Sequence, residues 1–205
     1  MKSKHFIWDF DGTIIDTYPH TTTAFMETAE KHGIKANFDE AMVHLRHSLS
    51  GTKSIYNLSD EVYDSFVQRA LELWFEPIPM PYDGIEAVLE KIVKAGGKNF
   101  IYTNRDDTAL KYLEHYGLLK YFTDFVYNTS PAYARKPAPD SVEYIVKKHS
   151  LDRNEVAMVG DREIDVLSGK NAGCKAILFD EFHISKQTAA DAVIYDITRV
   201  SDYIK

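Results

Sequence analysis

The sequence predicts an α/β fold, in which a doubly wound, mainly parallel, Rossmann-like sheet carries helices on both faces and a small α-helical domain is inserted near its start. Short apolar runs suited to strands alternate with amphipathic helical patterns, and polar or glycine residues follow each apolar run at once. One early stretch has helical patterns without a convincing strand. Alternation of this kind favours right-handed crossovers and a ligand site at the carboxyl ends of the strands.

The first strand is predicted at residues 5–10, and it leads into an Asp-Phe-Asp-Gly-Thr motif at residues 9–13. Strand alternation turns Asp9 and Asp11 to the same face. Residues of these types also suit an ordinary turn or helix N-cap. Two close carboxylates repel unless a cation or a shared proton relieves them, so the pair indicates a metal site or an acid–base site.

The next stretch is predicted to be an inserted helical domain. Its helices are predicted at residues 22–31, 39–49 and 61–75. Pro77, Pro79 and Pro81 interrupt both helix and sheet, and they suit a hinge linker at its exit. We therefore divide the chain into a catalytic core at residues 1–17 and 82–205 and a helical domain at residues 18–81.

The remaining elements alternate regularly. Strands are predicted at residues 98–103, 155–159 and 175–179, with weaker strands toward the sheet edges at 124–127 and 192–195, and helices are predicted at 84–95, 108–116, 140–149 and 164–171.

A second acidic cluster follows the predicted strand at residues 155–159. If a helix begins there, Asp161 and Asp165 are four residues apart and share one face. Acids at a helix N-terminus also suit the helix dipole, which is the simpler explanation for this cluster alone. Beside Asp9 and Asp11 on a parallel sheet, however, these acids form an oxygen-rich site that is best matched by Mg²⁺.

Two loops offer cations and hydroxyl groups for an anionic ligand. Thr103, Asn104 and Arg105 follow the second main strand and supply a hydroxyl, an amide and a guanidinium near the start of a helix. Ordinary helix capping explains this loop equally well when it is viewed alone. Lys136 precedes a proline in another loop, where it would balance the charge of the acids at the strand ends.

Taken in order, these motifs resemble the haloacid dehalogenase superfamily. The resemblance covers residues 5–17 and about 82–180, and its short motifs occur here in the family's order. The matching residues are Asp9, Asp11, Gly12, Thr13, Thr103, Lys136, Gly160, Asp161 and Asp165.

The resemblance implies a catalytic role for four residues. Asp9 would be the nucleophile that forms an aspartyl-phosphate, and Asp11 would be the general acid and then the general base. Lys136 and Thr103 would orient and neutralise the transferring phosphoryl group. The dehalogenase branch typically lacks an acid at the position of Asp11, so this residue favours phosphoryl chemistry.

The resemblance also implies a bound Mg²⁺ as cofactor. Its ligands would be Asp9, the main-chain carbonyl of Asp11, and Asp161, with Asp165 close by or acting through water.

The helical insertion resembles the small caps of phosphoglycolate phosphatase and β-phosphoglucomutase relatives, which close over small phosphorylated metabolites. We expect a polar cap loop at residues 44–52 to meet the substrate, with Arg46 binding an anionic group beside Asn104 and Arg105 of the core. A solvated helix end is an equally good explanation for Arg46.

Composition restricts the partners. The net charge is −7 and the pI is near 5.6, which oppose a surface built to bind nucleic acid. No segment approaches a membrane span, and the single cysteine, Cys174, suits a small core residue. We therefore expect a cytoplasmic protein, a monomer or weak homodimer, whose partner is a small phosphorylated metabolite.

These observations predict a Mg²⁺-dependent phosphatase for small phosphate monoesters. The alternatives are a phosphomutase of the β-phosphoglucomutase type, which would use the same core, and a non-catalytic binding module, which would have no use for clustered acids. A dehydrogenase is disfavoured because the first strand ends in acids and no G-x-G-x-x-G motif follows it.

Overall fold

The computed structural model describes residues 1–73, 78–127 and 134–205. These residues form two compact units, one made of Met1–Ile14 with Pro81–Lys205 and the other of Ile15–Met80. The strands are β1 (His5–Trp8), β2 (Asn99–Thr103), β3 (Phe122–Tyr127), β4 (Val156–Gly160), β5 (Lys175–Phe179) and β6 (Ala192–Ile194). The α-helices are α1 (Tyr18–Lys31), α2 (Phe38–His47), α3 (Leu49–Ile55), α4 (Asp60–Leu73), α5 (Ile85–Lys94), α6 (Thr108–His115), α7 (Asp140–Lys148) and α8 (Glu163–Asn171).

The six strands form one sheet in the order β3-β2-β1-β4-β5-β6, and each neighbouring pair is parallel. Helices α5 to α8 alternate with the strands along the chain. The predicted α/β class is confirmed. The two strands with the weaker sequence patterns, β3 and β6, are the edge strands, as predicted.

Strand β1 lies in the middle of the sheet and is buried along its whole length, which explains its continuous apolar sequence. The indole Nε1 of Trp8 donates a hydrogen bond to Oδ1 of Asn99 on β2 at 3.0 Å, so the polar atom of this buried ring is satisfied. The strand ends at Trp8, two residues earlier than predicted. The Asp9 N–H still donates to the Val159 carbonyl at 2.8 Å, which ties the next residue to β4.

The second unit is helical and has a core of its own, in which Phe25, Leu45 and Phe66 are buried. The rings of Phe25 and Phe66 meet edge to face, with centroids 5.5 Å apart and planes at 85°. Helix α1 begins at Tyr18, earlier than predicted, because Pro19 falls in the first turn, where a missing N–H costs nothing.

The predicted loop at residues 44–52 is wrong, because helix α2 continues to His47 and α3 begins at Leu49. Ser48 between them is extended, and its Oγ accepts a hydrogen bond from the Gly51 N–H at 2.9 Å. Ser48 therefore caps a new helix. The apolar periodicity of the sequence did not indicate that this helix begins here. The linker prediction at Pro77 lies outside the described residues. Within the described ranges, no helix has the length and apolar character needed to cross a bilayer.

Candidate active site

Three parallel strands bring the sequence motifs to one edge of the sheet. Asp9 follows β1, Thr103 ends β2, and Asp161 follows β4. Strand β1 lies between β2 and β4, so the carboxyl ends of these strands are neighbours. The chain leaves β1 toward β2 and β3 and returns on the other side to β4, which makes this edge the topological switch point where α/β sheets bind ligands.

Carboxylate oxygens of Asp9, Asp161 and Asp165 lie within 4.8 Å of one another. The side chain of Asp9 is 3% exposed and that of Asp165 is fully buried. Oδ2 of Asp9 is buried and has no hydrogen-bond partner within the part of the chain that the structure describes. A buried carboxylate oxygen without a donor is costly, and hard oxygen ligands at this spacing fit a divalent cation such as Mg²⁺.

Lys136 lies between two of these acids. Its Nζ is 2.5 Å from Oδ1 of Asp9 and 2.7 Å from Oδ1 of Asp165, and its side chain is fully buried. It also lies 4.6 Å from the centroid of the Tyr102 ring. Burial alone would lower the pKa of Lys136, but the carboxylates of Asp165 and Asp9 outweigh it and raise this pKa. Lys136 is therefore a permanent cation within the acidic cluster.

The protonation of Asp9 is set by opposing influences. The pKa of the Asp9 carboxyl is raised to about 6, because burial and the neighbouring Asp165 raise it more than Lys136 lowers it. A carboxyl with a pKa near 6 is mostly ionised at pH 7, by roughly ten to one. Asp9 is therefore a buried carboxylate that is available for nucleophilic attack at neutral pH.

Close approach of the backbone at Gly160 sets the position of Asp165. A Cβ at Gly160 would lie 2.3 Å from Cβ of Asp165 and 2.7 Å from its Oδ2. The Arg162 N–H donates to the same Oδ2 at 3.1 Å, where it anchors the carboxylate at the start of α8. The glycine of the Gly-Asp motif is thus required by space.

The carboxylate of Asp11 forms an ion pair with the guanidinium of Arg105. Nε of Arg105 donates to Oδ2 of Asp11 at 3.1 Å, and Nη2 donates to Oδ1. The Arg105 N–H donates to Oγ1 of buried Thr103 at 3.0 Å, while Asn104 is half-buried. The side chain of Asp11 does not belong to the three-carboxylate cluster, and its expected metal contact through the main-chain carbonyl stays a prediction.

Comparison with known proteins identifies the family of this site. The family model for haloacid dehalogenase-like hydrolases matches residues 6–179. The chain belongs to this hydrolase family. That confirms the resemblance drawn from the motifs, whose residues all lie within the matched range.

Relatives of this hydrolase include proteins named as phosphatases. A phosphoglycolate phosphatase of Vibrio parahaemolyticus is 28% identical over 83% of this chain and 81% of its own. Pyrophosphatase PpaX of Halalkalibacterium halodurans is 28% identical over 85% of this chain and 82% of its own.

Solved structures agree with the fold. A hydrolase of Streptococcus pneumoniae is 30% identical with a TM-score of 0.68, covering 87% of this chain and 94% of its own. A haloacid dehalogenase-like family hydrolase from the same organism has a TM-score of 0.80 over 98% of both chains. Its identity of 17% supports the fold alone.

Arg46 of this hydrolase lies in α2 of the helical unit and is 6% exposed. Its Nη2 is 3.1 Å from Oδ1 of Asp16, and its guanidinium carbon lies 4.5 Å from the centroid of the Tyr18 ring. The charge of Arg46 therefore has a partner within its own unit, in contrast to the exposed loop position expected. Its role in substrate binding stays a prediction.

Sequence reasoning missed one cation of the hydrolase site. Arg162 directly follows Asp161, and its Nε is 4.0 Å from Oδ1 of that residue. Its charge also lowers the pKa of Asp9. The sequence contained a signal for this cation, since Arg162 lies between the two motif acids. The prediction considered only the acids of this motif.

Proposed function

We propose that this hydrolase is a Mg²⁺-dependent phosphatase that cleaves a small phosphate monoester through an aspartyl-phosphate on Asp9. One observation carries the proposal: the buried Asp9 carboxylate contacts Lys136, has a pKa near 6, and shares an oxygen-rich cluster with Asp161 and Asp165. Such a group is ionised at neutral pH and is placed for nucleophilic attack on phosphorus.

In the first step, an oxygen of Asp9 forms a bond to phosphorus while the bond from phosphorus to the leaving-group oxygen breaks. Asp11 transfers a proton to that leaving oxygen, which departs as an alcohol. Lys136 holds the carboxylate of Asp9 in place and offsets negative charge beside the phosphoryl group, with Thr103 at the end of the neighbouring strand.

In the second step, water attacks phosphorus and Asp11 takes a proton from it. The bond between phosphorus and Asp9 breaks, so inorganic phosphate leaves and the carboxylate of Asp9 is restored. Covalent catalysis of this kind divides one difficult displacement into two easier ones.

Asp9, Asp161 and Asp165 would hold Mg²⁺, with the main-chain carbonyl of Asp11 as a further ligand. When bound, the cation reduces the repulsion between the attacking carboxylate and the phosphoryl oxygens. At about 4 Å and an effective dielectric constant of about 20, one such pair of charges repels by roughly 4 kcal/mol.

The named relatives give the first substrates to test. Phosphoglycolate is the substrate in the name of one relative, and pyrophosphate is the substrate in the name of another. Pyrophosphate is an anhydride with a more acidic leaving group, so it depends less on proton transfer from Asp11. Interconversion of sugar-phosphate isomers without release of phosphate would support the phosphomutase alternative instead.

The role of Asp9 is tested by Asp9→Asn. The amide is a poor nucleophile and a weaker metal ligand, so we expect phosphate release in the presence of Mg²⁺ to fall below a few per cent of wild type. The matched control is Asp202→Asn, which changes an exposed acid paired with Arg199 and should leave the rate unchanged. Retention of activity in Asp9→Asn would refute the nucleophile assignment.

Metal dependence is tested by chelation. We expect excess chelator to abolish turnover and Mg²⁺ to restore it, because the three clustered carboxylates need a cation. Ca²⁺ should inhibit, since its larger and looser coordination disturbs the in-line geometry. Full activity in excess chelator would exclude the metal site.

Other features stay predictions from the sequence. They are cytoplasmic location, a monomeric or weakly dimeric state, the absence of nucleic-acid and membrane partners, and the function of the helical unit as a cap.

A further inference from the structure

The guanidinium of Arg105 donates hydrogen bonds to both carboxylate oxygens of Asp11. Its Nε donates to Oδ2 at 3.1 Å and its Nη2 donates to Oδ1. A planar guanidinium that donates to both oxygens fixes the rotation of a carboxylate as well as its position, which a lysine ammonium cannot do.

Arg105 is itself held firmly. The residue is 8% exposed, and its guanidinium carbon lies 5.5 Å from the centroid of the Phe10 ring and 5.7 Å from that of Tyr112. Its backbone N–H donates to Oγ1 of Thr103 at 3.0 Å. The backbone of Arg105 is thus anchored to the end of β2, and its side chain lies against the aromatic residue that precedes Asp11.

Asp11 needs such support more than Asp9 does. The side chain of Asp11 is 29% exposed, whereas that of Asp9 is 3% exposed and is enclosed by packing. An exposed carboxylate rotates freely unless directional hydrogen bonds hold it. Each carboxylate oxygen has two lone pairs, and the hydrogen bond from Arg105 uses one of them on each oxygen.

We propose that Arg105 is a positioning residue that aims Asp11 at the leaving-group oxygen and then at the attacking water. This inference rests on the proposed function and assigns Arg105 a different role from the substrate contact that its sequence position suggests. A proton donor must lie within hydrogen-bond reach of the reacting oxygen. If Asp11 is misoriented, its contribution to proton transfer is therefore lost.

The proposal predicts an effect that depends on the leaving group. An alkyl phosphate needs a proton on its leaving oxygen, whereas an activated nitrophenyl phosphate does not. The second step needs Asp11 for either substrate. If the carboxyl of Asp11 is misoriented, the first step should become slower for the alkyl ester. For the aryl ester, dephosphorylation should become the slow step.

The experiment compares Arg105→Met, which keeps the length of the side chain, with Arg105→Lys, which keeps the charge. Steady-state rates are measured with phosphoglycolate and with p-nitrophenyl phosphate, and acid-quenched protein is examined for covalent phosphate by mass spectrometry. The control is Arg199→Met, which removes an arginine that is 65% exposed and should change neither measurement.

We expect Arg105→Met to lower kcat for phosphoglycolate by roughly 100-fold or more, which is the usual contribution of general acid–base catalysis. Phosphoenzyme should accumulate with p-nitrophenyl phosphate, and KM for phosphoglycolate should not rise. Arg105→Lys should behave like Arg105→Met, because one ammonium cannot fix both oxygens.

Four results would overturn the inference. A rise in KM for phosphoglycolate without accumulated phosphoenzyme would make Arg105 a substrate ligand. Equal losses for both substrates without phosphoenzyme, or full rescue by lysine, would make its role structural or purely electrostatic. Wild-type protein that releases no phosphate from any tested ester would overturn the proposed function itself, and the inference with it.

Discussion

At the scale of single residues, the site depends on one buried lysine that serves two carboxylates. At most 3% of the side-chain surface is exposed in each of Lys136, Asp9 and Asp165. Desolvation of three charges is costly, and their attraction offsets this cost while all three are present. Removal of the lysine leaves two buried carboxylates facing each other.

Lys136→Met should therefore lower the free energy of unfolding in excess chelator by about 3–5 kcal/mol at pH 8. Mg²⁺ should raise the melting temperature more in this variant than in wild type, because the cation takes over the charge that the lysine supplied. Thermal unfolding with and without Mg²⁺ measures both effects.

The control for this prediction is Lys94→Met, which removes an exposed lysine paired with Glu90 on the same helix. Exposed pairs of this kind contribute about 0.3–0.5 kcal/mol. If Lys136→Met cost no more than Lys94→Met, the buried triad would not contribute to stability.

The sequence correctly predicted which acids lie close together, because residue type and strand position determine this. Asp9, Asp161 and Asp165 could be expected together because the ends of parallel strands meet. The pairing of Asp11 with Arg105 could not be expected, because it depends on the direction of two side chains from different loops. The sequence shows that Arg105 is charged but does not indicate which carboxylate it pairs with.

At the scale of elements, the junction between β4 and α8 shows how the backbone determines the position of an acid in the candidate site. Gly160 ends the strand, and the first turn of the helix brings Asp165 against it. An alanine at this position would require Asp165 or the backbone to move, since the added Cβ would lie 2.3 Å from Cβ of Asp165.

Gly160→Ala should lower stability by about 1–3 kcal/mol through overpacking and should also displace Asp165, a proposed metal ligand. We expect its phosphatase activity to fall at least tenfold at temperatures where the protein stays folded. Activity and thermal unfolding are measured in parallel, together with the increase in melting temperature that Mg²⁺ produces.

The matched variant is Gly96→Ala. Gly96 has a φ of +76°, so alanine is strained there, but its added Cβ would meet nothing within 4 Å. This variant should lose stability and keep both its activity and its response to Mg²⁺. Equal behaviour of the two variants would show that Gly160 serves the fold alone.

Short helices were the weak point of prediction at this scale. Helix α3 has seven residues, too few for apolar periodicity to become visible. Its start depends on the capping hydroxyl of Ser48. The central apolar strands were recognised because burial on both sides leaves little choice of residue type, as in β1 and β4.

At the scale of the whole molecule, the two units differ in how far apart along the chain their contacting residues lie. Helix α1 packs against α2 and α4 inside one continuous segment, Ile15–Met80. Strand β1 instead pairs with residues far along the chain, since Phe6 lies opposite both Asn99 on β2 and Ala157 on β4. Contacts between distant residues form more slowly than local ones.

We therefore expect the helical unit to gain structure first when the full chain refolds. Pulsed hydrogen exchange should show amide protection in α1 and α4 before protection of Ile7 and Trp8 in β1. Simultaneous protection of both regions would indicate a single cooperative folding step and would contradict this order.

The central place of β1 has a consequence for synthesis of the chain on the ribosome. Phe6, Ile7 and Trp8 are synthesised long before Gly160, whose addition completes β4. Until then these apolar residues lack their final strand partners and can pair with other nascent chains. The segment beside Asp9, the proposed nucleophile, is thus open to pairing between chains until the sheet closes around it.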